Sequence, residues 1–147
     1  MNNLIHTLKT KKLTLATAES CTAGYVSYLI TKTPGASKVF KGGLIVYSLE
    51  SKTKFFGIPP TSLNKNQGVS KEVALTLAKK VKSLFRAEFG ASVVGFAGPG
   101  TKAGTVYIAV STPKNDVSKK LILKGNRDQV RKGASHRLLR MLMEQIS

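Results

Sequence analysis

The sequence is poor in the residues that staple or metallate small proteins. Its 147 residues hold one cysteine, Cys21, two histidines and no tryptophan. A lone cysteine excludes an intrachain disulfide framework and cannot by itself build a zinc centre, so neither a metal nor a cofactor is expected. Long hydrophobic runs are missing as well. Leu44–Tyr47 and Val106–Val110 fall far short of the ~20 apolar residues a bilayer-spanning helix needs. Met1–Lys12 lacks the apolar core of a signal peptide. A cytoplasmic protein without a membrane anchor is expected.

Acidic residues are scarce as well. Asp and Glu number 7 against 24 Lys and Arg, a formal charge of +17. Such a field favours anionic partners: nucleic acid, phosphorylated metabolites or acidic membranes. The lysines are scattered over every segment, and no finger, glycine-rich or aromatic RNA-binding signature accompanies them. Nucleic-acid binding by charge alone would be non-specific. With 41% hydrophobic residues and no repeat or linker, the chain reads as one domain over residues 1–147. Composition leaves room for a homo-oligomer without indicating one.

Strands and helices interleave along the chain. Leu13–Ala18 reads as a strand, Cys21–Thr31 as a helix apolar nearly all round and therefore buried, and Phe40–Tyr47 as a second strand. Leu49–Phe56 is a short helix stopped by Gly57 and the prolines at 59 and 60. Ser70 caps an amphipathic helix with Val73, Leu77, Val81, Leu84 and Phe85 as its core stripe. Ser92–Ala97, Thr105–Thr112 and Lys119–Lys124 follow as strands. A last helix begins at Asn126, with Gln129 completing a capping box. The pattern predicts a layered α/β domain with an antiparallel pair near its end.

Three positions could carry chemistry. Ser20 stands where a strand meets a buried helix, so it is either a helix cap or a nucleophile at the positive end of the dipole. Cys21 beside it has no convincing histidine partner, since His6 and His136 both lie near the chain ends. Lys52 projects onto the apolar face of its helix with Leu49, between Phe55 and Phe56. There it either snorkels to water or loses hydration and becomes a base. Arg127, at the first position of the last helix, opposes the helix dipole, which fits a bound anion or full exposure. Gly95, Gly98, Pro99 and Gly100 form a flexible strand exit suited to a site rim or a plain turn.

Several segments occur in a distinctive order: Leu15-Ala-Thr-Ala-Glu-Ser-Cys-Thr-Ala-Gly24, Pro34-Gly-Ala-Ser37, Phe40-Lys-Gly-Gly-Leu-Ile-Val-Tyr-Ser48, Lys52, Gly57-Ile-Pro59, Val69-Ser70, Gly95-Phe-Ala-Gly-Pro99, Gly104-Thr-Val106 and Gly125-Asn-Arg127. From Leu13 to Met141 the chain resembles the carboxy-terminal domain of the competence-damage protein CinA, the nicotinamide-nucleotide amidase family. The resemblance implies a three-layer α/β/α sandwich around a mixed, mostly parallel sheet. It also implies hydrolysis of the carboxamide of nicotinamide mononucleotide to nicotinic acid mononucleotide and ammonia. The family's serine and lysine dyad falls on Ser20 and Lys52, and its tyrosine and arginine fall on Tyr47 and Arg127, toward the nucleotide. Amides near Thr22 would hold the oxyanion.

Three positions depart from the family's pattern. Val94 replaces a usual Ser or Thr, the loop from Gly98 to Gly104 is several residues shorter, and Ala23 replaces a glycine. The alternative reading is therefore a catalytically silent relative that binds a nucleotide or nucleic acid.

Overall fold

The computed structural model describes residues 2–147. Five strands, β1 (Leu15–Glu19), β2 (Phe40–Ile45), β3 (Phe89–Gly95), β4 (Thr105–Ser111) and β5 (Asp116–Ile122), form one sheet in the order β2-β1-β3-β4-β5. β1 pairs in parallel with both β2 and β3, whereas β4 is antiparallel to β3 and β5. β4 thus opposes the other four strands, which makes the sheet mixed and mostly parallel.

Helices cover both faces. Against one face pack α1 (Asn2–Thr10), α2 (Tyr25–Thr31) and α6 (Arg127–Ile146), around Leu8, Leu15, Ile30, Val93, Ile108 and Leu138. Against the other pack α3 (Leu49–Phe56), α4 (Pro60–Asn64) and α5 (Lys71–Leu84), around Ala16, Ala18, Val46, Phe56, Leu77 and Val94. The sheet is therefore the middle of three layers. Alternation along β1 sends Leu15, Thr17 and Glu19 towards α2 and Ala16 and Ala18 towards α5. Among the described residues no helix is long and apolar enough to cross a membrane.

The expected caps form. Ser70 accepts from the Val73 amide at 3.1 Å, and Asn126 with Gln129 closes a reciprocal capping box. Several expectations need correction. The helix expected over Cys21–Thr31 begins only at Tyr25, because residues 21–24 form a turn with Ala23 and Gly24 at positive φ. It is not buried all round, since Tyr28 is exposed. Leu84, placed in the core stripe of α5, points to solvent in the helix's last turn, whereas Phe85 packs over Gly42. The helix α4 had no counterpart in the sequence pattern, its five residues being too few to show a period.

Candidate active site

The strand alternation that lays Glu19 against α2 turns the next residue the other way, and Ser20 emerges on the side of α3. Its amide continues the ladder by donating to the Val93 carbonyl at 3.1 Å. Its side chain does not cap α2. That task falls to Glu19, a carboxylate 1% exposed. Glu19 Oε1 accepts from the Thr22 hydroxyl at 2.7 Å and from the Gly24 and Val26 amides, while Oε2 accepts from the Ser27 amide and hydroxyl. The positive end of α2, expected to receive an oxyanion, is thus already occupied by the protein's own carboxylate. Ser20 is left free for chemistry.

Lys52 comes from α3, whose start is set by Ser48 accepting the Ser51 amide and whose end is set by Gly57 at φ 65°. The lysine is 2% exposed. Its Nζ donates to Ser20 Oγ at 3.0 Å, to the Val46 carbonyl at 2.7 Å and to the Tyr47 carbonyl at 3.3 Å. Lys52 therefore does not snorkel. Burial pushes its pKa down from 10.5 to about 8, a shift that interaction with Cys21 partly opposes. One expectation about its surroundings fails. Phe56 is buried, but Phe55 is 57% exposed, under the ammonium of Lys54. Successive helical residues are turned by about 100°, which carries Phe55 past the edge of the stripe that Leu49, Lys52 and Phe56 define.

Ser20 and Lys52 open onto a cavity of about 260 Å³, lined also by Cys21, Tyr47, Gln67, Val69, the Gly95–Pro99 segment and Arg127. Among the described residues no acidic one lines it. Arg127 Nη2 donates to the Tyr47 hydroxyl at 2.9 Å, and Nη1 donates to the Gly98 carbonyl. The guanidinium thus ties together β2's exit, β3's exit and the start of α6 at the cavity mouth. Larger cavities of about 310, 410 and 550 Å³ elsewhere have neither a buried lysine nor a serine–lysine contact. Among the described residues no group of three side chains is placed to hold a metal ion.

Cys21 is a poor nucleophile. Burial raises its thiol pKa to about 11, so it stays protonated near neutrality. Neither His6 nor His136 lines the cavity. Thr22 is fully buried, with its hydroxyl committed to Glu19 and its carbonyl accepting from Arg131 at 3.3 Å. Its side chain does not reach the cavity. The Cys21 and Thr22 amides, however, have no hydrogen-bond acceptor among the described residues. Val94 is fully buried in the core beneath α5 and does not line the cavity. Its apolar side chain therefore takes no polar group from this wall.

Sequence reasoning missed Glu19, Gln67 and Arg131. Counting alternation outward from Ala16 and Ala18 would have turned Glu19 away from Ser20. Arg131 lies one helical turn after Arg127, a spacing that places both on one face of α6. Gln67 sits in a turn without a distinguishing pattern.

Residues 1–146 match the family model described as the CinA C-terminal domain. The chain is 38% identical over 149 residues to a CinA-like protein of Myxococcus xanthus, covering 97% of this chain and 35% of that protein. It therefore spans about a third of the length of the curated relatives it matches. The crystal structure of a competence or damage-inducible protein from Enterobacter asburiae superposes with a TM-score of 0.93 at 28% identity, over 99% of this chain and 98% of that one. That of the competence/damage inducible protein CihA from Agrobacterium tumefaciens gives 0.92 at 28% identity, covering 97% and 90%. Fold and matched length agree, and the chain belongs to the CinA C-terminal domain family.

Proposed function

We propose that this domain is an amidase that hydrolyses the carboxamide of nicotinamide mononucleotide, with Ser20 as nucleophile and Lys52 as general base. The observation that carries the reading is the 3.0 Å contact between a buried lysine nitrogen and a serine oxygen at the floor of a cavity. A lysine whose pKa lies near 8 has a useful neutral fraction at physiological pH, unlike an ordinary one.

In this mechanism neutral Lys52 Nζ accepts the Ser20 hydroxyl proton as Oγ attacks the carboxamide carbon. The Cys21 and Thr22 amides donate to the oxyanion. Collapse breaks the carbon–nitrogen bond, and the proton held by Lys52 passes to the departing nitrogen, which leaves as ammonia. Water then attacks the acyl ester, giving its proton to Lys52. The proton returns to Ser20 Oγ as nicotinic acid mononucleotide leaves. The phosphate lies toward Arg127, whose guanidinium exchanges the Gly98 carbonyl for a phosphate oxygen.

The test is ammonia release from nicotinamide mononucleotide by the purified protein. The wild type should release ammonia, and Ser20→Ala should lose at least about a thousandfold in kcat with the fold intact. A wild type without turnover, or a Ser20→Ala protein that keeps it, would overturn the assignment.

A further inference from the structure

Gln67 and Gly68, between α4 and α5, are consecutive residues in the left-handed region, at φ 53° and 73°. Two backbone bonds lock their turn: the Gly68 amide donates to the Leu63 carbonyl and the Val69 amide to the Asn66 carbonyl, both at 2.9 Å. Gln67 and Val69 face the cavity, while Gly68 between them is buried. A Cβ on Gly68 would lie 2.8 Å from Leu49 Cδ2, 3.4 Å from Lys52 Cδ and 3.5 Å from Lys52 Cε. The glycine therefore faces Leu49 and the last two methylenes of the lysine stem, with too little room for a side chain against Leu49.

We propose that the Gln67–Gly68 turn is the positioning element for Lys52, sealing its stem against water and fixing where Nζ meets Ser20. The proposal rests on Lys52 being the base of the amidase reading. The groups facing Lys52 are few. The β1–α2 turn presents the Ser20 hydroxyl and the Cys21 thiol, β2's exit the Val46 and Tyr47 carbonyls, and the turn itself the uncharged Gln67. Arg127 is the other formal charge lining the cavity. Lys80 of α5 lies against the far end of α3, on the Phe56 carbonyl. No carboxylate in this set offsets the burial of the ammonium, so the quality of the seal governs how readily Lys52 gives up its proton.

Gly68→Ala must displace Leu49 or lift the turn, and it adds a side chain where φ is positive. Either response admits water to the stem. The test reads the titration of Lys52 directly, by pH-dependent amine labelling of the Lys52 peptide and mass spectrometry, alongside the pH profile of ammonia release. In Gly68→Ala the apparent pKa should rise from about 8 towards 10.5, and the neutral fraction at pH 7.5 should fall about tenfold per unit. Gly57→Ala is the control. It places alanine at φ 65° with only Lys80 Nζ nearby, so it shares the backbone penalty and should leave Lys52 unchanged. If Gly68→Ala titrates like the wild type, if Gly57→Ala shifts Lys52 equally, or if wild-type Lys52 titrates near 10.5, the proposal fails. Should Gly68→Ala not fold, Leu49→Ala removes the other half of the contact and must shift Lys52 upward; no shift there also overturns the proposal. Labelling does not depend on turnover, so a protein inactive on nicotinamide mononucleotide would refute the amidase reading and still leave the seal measurable.

Discussion

Lys52 is 2% exposed, and its nitrogen meets three oxygens without meeting a carboxylate. Burial therefore penalises the ammonium more than its partners recover, and the sign of the pH dependence follows. The native pKa, about 8, lies below the unfolded value near 10.5, so between these limits the unfolded chain binds more protons and stability rises with pH. Below pH 8 both states are protonated and the native state bears the full cost, on the order of 3 kcal/mol. Relative to Lys52→Met, the wild-type unfolding free energy should climb by about that amount from pH 8 to 10.5, measured by urea titration at each pH. A difference that stays flat would mean Lys52 is hydrated. Under the proposed amidase reading the same titration sets the rate profile: kcat/KM should rise with the neutral fraction and level off above pH 8.

At the scale of elements, the turn between β1 and α2 depends on one internal side chain. Glu19 gathers the Thr22 hydroxyl, three amides and the Ser27 hydroxyl. Gly24 at the start of α2 provides no side-chain cap of its own. Glu19→Ala would leave these buried donors without an acceptor, each worth roughly 1–3 kcal/mol. Chemical denaturation should show a loss of at least about 3 kcal/mol, whereas a loss below ~1 kcal/mol would mean that water replaces the carboxylate. Elements with a clear period or cap were legible in the sequence: α3 with its inward Lys52, α5 from Ser70 and α6 from Asn126. The cap of α2 was not, because the Glu19 carboxylate, rather than the Ser20 hydroxyl that local capping rules point to, reaches its amides. Phe55 was misplaced for a related reason. Two adjacent aromatics cannot both lie in a narrow stripe, and only packing decides which one is buried. Gln67 and Gly68 carry no sequence pattern because their role arises from contact with Leu49 and Lys52 of α3, remote from them in the chain.

At the scale of the molecule, the parallel core brings the exits of β1, β2 and β3 to one end of the sheet. Ser20, Tyr47 and the Gly95–Pro99 segment converge there, with Arg127 of α6 opposite. Open parallel sheets place ligand sites at such strand ends, and in this chain the site sits within a field of +17. A field of that sign favours anionic ligands in general, and its pull on a polyanion acts through counterion release. DNA binding should therefore be independent of sequence and should collapse as salt rises from ~50 to ~200 mM, as read by fluorescence anisotropy on two unrelated duplexes. A complex selective for one duplex and surviving the higher salt would favour the nucleic-acid-binding alternative.

The proposed Ser20–Lys52 dyad meets its most direct test in Lys52→Arg. Arginine retains the charge and much of the stem, but it cannot be deprotonated in a protein. Ammonia release from nicotinamide mononucleotide should be abolished while thermal unfolding stays cooperative and substrate still binds. A folded Lys52→Arg protein that turns over near the wild-type rate would show that Lys52 supplies only charge, and would contradict its assignment as the base.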